Sequence, residues 1–529
     1  QEYGTAPGAE PGMTVRSVYT PPVRILYDLE ARDTGFILPF AAVSVMMVFW
    51  GLFGGMRLGF TVSYLCAFGV ISAYLLRDAA RPDGYTLLAG ALCVAMSSVF
   101  SFVSAQLNLW VLLMLFAMSL VYFTGLVSKR REDGDLSLIT SCVYEFFRGA
   151  FGSIGRMFSS AAKARPSSDP GRLKVLKGVA LAILPAALII SLLVSSDAAF
   201  EGLVRSFSVD ITEDAFRLVL ALVLSVFMTS YCWSLRKNGP AASFGTPRGA
   251  DATVMSSFLW VICGIYAVYL FSQLAYFFSA FSGILPEAFR GEYMISEYAR
   301  RGFFEMCWIA VINFVVVFRC ASLFGKERMR GTCLGLCLFI CGFTVLIAAT
   351  ALSKMALYIS MLGMTYLRVV TSVFMVCLML IFAALTVRLL KPGVRVARIG
   401  AVVFAAALLV MSFGNVNGAI ASYDYSRYAD GTLESIDVWH MYSLGDSGVE
   451  YLIKLAGSSD EEVALQARDA LRCCLYRYWC VSYDSRGGLI MGESLTPGWY
   501  GWCASTKEAM ELLEDYFRTH PRVLREETV

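Results

Sequence analysis

The chain has 529 residues, of which 57% are hydrophobic and 16% charged, with a mean hydropathy of +0.63. Soluble domains carry about 25% charged residues, so this composition excludes an ordinary soluble fold and points to a polytopic membrane protein. A net charge of +3 leaves no electrostatic footprint for nucleic acid, and two histidines in the whole chain argue against a histidine metal centre or a serine-type triad.

Residues 1–34 open QEYGTAPGAEPG and read as a disordered cytoplasmic tail; no positive n-region precedes a short apolar core, so no signal peptide is expected. A span needs about 20 mostly apolar residues to cross the hydrocarbon core. About eleven runs qualify: 35–54, 58–76, 85–104, 107–127, 174–195, 216–235, 254–282, 302–322, 331–352, 367–390 and 397–414. The expected fold is therefore an all-α transmembrane bundle, with four spans in 35–127 and seven in 174–414.

Loop charge sets the orientation, because Lys and Arg are retained on the cytoplasmic side. Lys129, Arg130 and Arg131, then Arg236, Lys237 and Arg248, then Lys326, Arg328 and Arg330, then Lys391 and Arg395 all fall on one side of an eleven-span chain. The loop 196–215, with Asp197, Glu201, Asp210, Glu213 and Asp214 against Arg205, falls on the other. This pattern predicts a plasma-membrane protein with a cytoplasmic N-terminus and an extracytoplasmic C-terminus.

Within the cytoplasmic segment 128–173, Leu136, Ile139, Val143, Phe146, Phe147, Phe151, Ile154 and Phe158 recur at helical spacing, with Glu145, Arg148 and Arg156 opposite. That is an amphipathic helix suited to the membrane interface, followed by a linker. The segment 415–529 turns polar and is expected to be a small, mainly helical outer domain. SDEE (459–462) reads as a capping box, with Ser459 as the cap, and STKE (505–508) opens a second helix. Cys473, Cys474, Cys480 and Cys503 lie there, in a compartment that permits disulfides; four cysteines allow three pairings.

The eighth span opens with EYARRGFFE. Glu297–Tyr298, Arg300, Gly302–Phe303–Phe304–Glu305 and Asn313 resemble the signature of an uncharacterised bacterial membrane family, domain of unknown function 4153/4173. SSDAAF (195–200), LYISMLGMTYLRV (357–369) and NVNGAIASYDYSRY (415–428) match in order, and the resemblance covers roughly 170–480. It implies a multi-span membrane protein without an assigned activity, cofactor or metal.

Glu297, Arg301 and Glu305 stack at i, i+4 and i+8, and Arg300 reaches Glu297 at i+3. Asn313 lies about 18 Å deeper along the helix. Asp197, Tyr358, Arg368, Asn415 and Arg427 fall on the same outer side. Charges near the headgroups are costly unless paired or solvated. Two readings follow: one outward polar chamber roofed by the outer domain, or separate structural pairs fixing span ends; the absence of any nucleophile, metal set or phosphate loop favours the second. Tyr266, Tyr269, Gln273 and Tyr276 form one face of the seventh span, read as interhelical packing. Cys333, Cys337 and Cys341, with Gly331 and Gly335, read as a small-residue packing stripe.

Span interiors hold almost no ionisable groups, with Glu305 the deepest, which argues against an ion-coupled pump. Catalytic motifs are missing as well, so the sequence leans away from an enzyme. The leading expectation is a non-enzymatic structural, sensory or regulatory component, with the lipid bilayer and an envelope or protein partner as its contacts. A permease-like protein is the alternative, and a membrane enzyme acting on a lipid or envelope precursor is the third. Oligomeric state is not encoded in any motif.

Overall fold

The computed structural model describes residues 30–76, 82–103, 107–127, 135–163, 211–238, 252–281, 292–323, 331–391, 393–483, 489–495 and 498–524. Among them, nine helices are long and apolar enough to cross a membrane, and a shorter apolar stretch, Met306–Ala321, accompanies them. The tail before residue 30, the fifth expected span at 174–195 and Asp197 lie outside the described residues. The fold is an all-α polytopic bundle, as lipid demands: a helix satisfies every backbone N–H and C=O within its own segment.

In chain order the helices are α1 (Ala31–Gly35), α2 (Ile37–Met46), α3 (Leu58–Leu76), α4 (Gly84–Phe102), α5 (Asn108–Val127), α6 (Asp135–Ala150) and α7 (Ile154–Lys163). There follow α8 (Ile211–Asn238), α9 (Ala252–Phe281), α10 (Glu292–Leu323), α11 (Thr332–Leu362), α12 (Tyr366–Leu390) and α13 (Val396–Phe413). The first span finishes as a π-helix, Met47–Leu52, before the tight turn to α3. A Cβ at Gly54 would sit 2.1 Å from the Trp50 carbonyl oxygen, so that turn requires glycine. Large apolar side chains such as Val268, Phe271, Trp308, Leu367 and Val410 are exposed, the inverse of a soluble protein and the expected surface toward lipid.

Two cores organise the bundle. Phe60, Met96, Phe100, Leu115, Met118 and Leu126 anchor one, formed by α2 to α6 with α8 and α13. Leu259, Val317, Cys337, Ile340, Phe382 and Leu385 anchor the other, formed by α9 to α12. Polar contacts join ends that loop charge assigns to one side. Arg236 pairs with Glu30 and with the buried Asp33, which also accepts from the Tyr74 hydroxyl at 2.6 Å. Arg398 donates to Asp83 at 3.0 Å, and Asp83 caps α4 through the Thr86 N–H. At the opposite ends, Phe102 meets Phe413 and Phe53 meets Phe216. Thus α5 finishes and α8 begins at opposite ends of the bundle.

The amphipathic segment departs from expectation in two ways. It breaks at 151–153 into α6 and α7, and α6 is docked onto the bundle. The Ser230 hydroxyl donates to the Gly149 carbonyl at 2.7 Å, and Phe146 packs on Phe116 and Tyr231. Glu145, expected on the polar face, is fully buried and paired with Arg148 at 2.8 Å, because that face meets protein. Val143, Phe147, Phe151 and Phe158 remain exposed toward lipid.

After α13 comes the terminal domain: α14 (Val416–Ala429), α15 (Val438–Ser443), α16 (Val449–Leu455), α17 (Glu461–Tyr478), a hairpin β1–β2 (Trp479–Tyr483, Leu489–Ser494) and α18 (Ala504–Thr519). Leu452, Ala467, Leu471, Leu475, Leu513 and Phe517 form its core. The cap of α17 is Asp460, one residue beyond the expected Ser459: its carboxylate accepts from the N–H groups of Glu462 and Val463. Ser505 and Thr506 do not cap α18; their hydroxyls donate to the buried Asp446 at 2.8 Å each, and Tyr478 donates to its other oxygen at 2.5 Å. Cys473, Cys474, Cys480 and Cys503 are unbridged in this structure, with Cys474 and Cys503 buried and Cys480 exposed.

This domain is clamped to the bundle at the α2–α3 turn. Arg57 donates to the Gly501 carbonyl at 3.0 Å, the Leu58 N–H donates to the Trp502 carbonyl at 3.1 Å, and Trp50 packs edge-on against Trp499 at 5.0 Å. The α2–α3 turn and the terminal domain thus lie at the same end of the bundle.

Candidate functional site

The second attachment of the terminal domain lies at the turn between α11 and α12, within LYISMLGMTYLRV, where several polar groups gather. Helix α11 stops at Leu362 because Gly363 takes φ +78°. Glycine is required there twice over, since a Cβ would also lie 2.9 Å from Asp424 Oδ1. The next N–H, of Met364, donates to that same oxygen at 2.7 Å. Arg368, in the first turn of α12, folds back to donate to the carbonyls of Leu362 and Gly363, and its guanidinium lies 4.1 Å from the Tyr358 ring centroid. A cation at a helix C-terminus satisfies orphan carbonyls and complements the dipole.

Asp424 comes from α14, in the run SYDYSRY. It is 6% exposed and accepts a hydrogen bond from the Met364 amide, while His440, Arg368 and Arg427 act on it through space. Burial therefore pushes the carboxyl above its ordinary range, against the pull of the amide, of His440 and of the two guanidinium groups. Around it, Arg427 donates to the Tyr423 hydroxyl at 2.8 Å and Asn417 donates to the Leu444 carbonyl at 3.0 Å. Asn415, left-handed at φ +46°, caps α14 through the Gly418 N–H and accepts from Ser447 at 2.7 Å. Chemically this is a latch: one buried carboxyl grips a span-connecting turn, and each neighbour is held by protein.

The sequence-derived residues divide accordingly. Tyr358 and Arg368 are brought together, and Arg427 stands beside them around Asp424; Asn415 joins the same helix to the terminal domain. Asn313 belongs to a different network, deep in the second half of the bundle. It is 1% exposed, accepts from Tyr266 at 2.6 Å and donates to Thr344 at 2.8 Å, tying α9, α10 and α11. Glu297, Arg300, Arg301 and Glu305 fall in α10, but their side chains, like those of Gln273 and Tyr276, lie outside the described residues; so does Asp197.

On the tyrosine face, Tyr266 stacks on Phe343 at 4.1 Å, as packing predicts, while Tyr269 is 46% exposed. Asp424 was missed as a site residue. Its signal was a lone acid between tyrosines in an otherwise half-apolar helix. Among the described residues no group of three or more His, Cys, Asp and Glu side chains is placed to hold a metal.

A bundle of long apolar helices, latched at one end to a small helical domain, defines an integral multi-pass membrane protein. The chain belongs to the family described as Domain of unknown function (DUF4153), whose model matches residues 65–455. The match starts in α3, well before the expected 170, because the early spans carry apolar patterning without the polar motifs that catch the eye. No curated protein matches the chain. No solved structure matches it either.

Proposed function

We propose that this protein is a non-enzymatic structural, sensory or regulatory component of a bacterial plasma membrane, which presents its terminal domain outside the cell to an envelope or protein partner. The observation that carries this reading is the latch: Asp424 grips the Met364 amide between two spans and so holds the terminal domain on them, while Arg368, Asn415 and Arg427 close on protein groups of their own segments. An open substrate chamber would leave such groups facing solvent. Basic loops on one side and the Arg57–Gly501 clamp on the other support an N-terminus inside and a terminal domain outside.

Two measurements test it. Cys480 is exposed on the terminal domain and should react with a membrane-impermeant maleimide in intact cells; labelling only after lysis reverses the topology. Arg301→Ala should lower the melting temperature in detergent, because the i, i+4 spacing sets Glu297 and Glu305 one turn to either side of its charge. An unchanged melting temperature with impaired cellular function would instead favour a permease or enzyme that uses the lip as a site.

A further inference from the structure

Sulfur atoms from three helices converge at one end of the second core. Cys320 lies three residues before the end of α10, Cys337 is the sixth residue of α11 and Met255 the fourth of α9. The Cys320 thiol lies 3.2 Å from the Met255 sulfur, and the Cys320 and Cys337 thiols are hydrogen-bonded to each other. Both cysteines are buried, at 2% and 0% exposure, while Met255 is half-buried. Cys333 and Cys341 flank Cys337 by one turn each on the same helix face, and both are buried.

The stripe's cysteines are core residues, but its glycines do not serve close packing: a Cβ built on Gly331 or on Gly335 meets nothing within 4 Å. The stripe also has partners that sequence spacing could not reveal, since Cys320 and Met255 arrive from other spans. What the three helices share at this point is sulfur.

The ligand chemistry selects the metal. Zinc prefers four ligands, drawn from Cys, His and carboxylates, and no group of three such side chains is gathered among the described residues. Two thiols and a thioether, with no oxygen or imidazole, are a soft, low-coordinate set, which favours copper(I). The end of the bundle also suits it. Loop charge assigns this end to the cytoplasm, where thiols stay reduced. Arg319 follows Phe318 on α10, and the Arg388 guanidinium lies 4.9 Å from the Phe318 ring, so this end of the bundle is basic.

We propose that Cys320, Cys337 and Met255 form a copper(I) site at the cytoplasmic end of the bundle. Binding replaces the two thiol protons, which leave to solvent, and forms two Cu–thiolate bonds and one Cu–thioether bond. The metal stays Cu(I) throughout, and the site carries a net charge of −1. The site is independent of the terminal domain and of the role proposed for it.

The test is anaerobic titration of the reduced, full-length protein in nanodiscs with copper(I) alone, in competition with a chromophoric chelator. Wild type should retain one equivalent with thiolate-to-copper charge-transfer absorption. Cys320→Ser and Cys337→Ser should each weaken binding about 100-fold or more, and Met255→Leu about tenfold, whereas Cys66→Ser on α3 should change nothing. If the serine variants fail to fold, X-ray absorption of the copper-loaded wild type decides, and only sulfur neighbours are expected. The proposal is overturned if the chelator strips wild type completely, if the Cys320→Ser/Cys337→Ser double variant binds like wild type, or if nitrogen or oxygen surrounds the metal.

Discussion

Asp424→Ala is expected to cost about 2–3 kcal/mol, while Asp424→Asn stays within about 1 kcal/mol of wild type. The asymmetry follows from what the carboxyl does. Its Oδ1 satisfies the Met364 N–H in a buried turn, and alanine would leave that donor without a partner. Asparagine keeps an oxygen of the same shape in the same place. The charge itself is poorly rewarded, since burial outweighs Arg368, Arg427 and His440 and lifts the pKa above the ordinary value.

The sign of the pH dependence follows. With a raised folded-state pKa, the folded protein binds more protons than the unfolded chain between the ordinary carboxylate value and the raised one. Stability from this group therefore falls as pH rises through that window and is flat above it. Asp424→Asn should remove that slope and no more. Thermal melts of the three proteins in detergent, at several pH values from about 4 upward, provide the check. Should asparagine prove as damaging as alanine, the ionised carboxylate is paired with Arg368 or Arg427 after all, and the latch is an ion pair.

The spans were legible because their signal is collective: 20 apolar residues announce a helix whatever their neighbours are. The faces of α17 and α18 were legible for a related reason, since Ala467, Leu471, Leu513 and Phe517 recur at helical spacing and are buried where that spacing says. What stayed hidden depends on partners far along the chain. Nothing near Ser505 or Thr506 reveals that their hydroxyls serve Asp446, some 60 residues earlier. Arg57 and Gly501, separated by 444 positions, give no local sign of their bond.

Local competition hid other features. Two candidate caps, Ser459 and Asp460, stand side by side, and the one whose carboxylate reaches two N–H groups wins. The β1–β2 hairpin was overlooked because it follows directly on α17, whose pattern runs to Tyr478. Of the candidate site, the positions Tyr358, Arg368, Asn415 and Arg427 were readable from motif and topology. Their common centre, Asp424, was not, because an isolated acid on a helix declares neither its burial nor its partner.

Arg236→Ala is expected to be the most damaging single change, costing about 3–5 kcal/mol. The arginine side chain is 8% exposed and bonds Asp33, itself 3% exposed, while a second nitrogen reaches Glu30. Removing it leaves a buried carboxylate with the Tyr74 hydroxyl at 2.6 Å, the Glu30 backbone N–H at 2.9 Å and the Lys237 ammonium at 3.8 Å, too little to replace a direct charge contact. The outer member behaves differently. Hydrogen bonds from Lys237 and Arg236 hold Glu30 down at about 2, so its contribution is present above the ordinary carboxylate value and is lost as pH falls through about 2. Glu30 is half exposed, and salt should weaken its share far more than that of Asp33.

The discriminating comparison is Arg236→Ala against Asp33→Asn/Arg236→Met. Replacing both buried charges with neutral groups removes the desolvation cost along with the attraction, so the double variant should melt well above the single one. If the double variant is as unstable as Arg236→Ala, the damage arises from the lost guanidinium contacts that methionine cannot replace, to Glu30 and to the Tyr74 ring 5.6 Å away, and not from an orphaned charge.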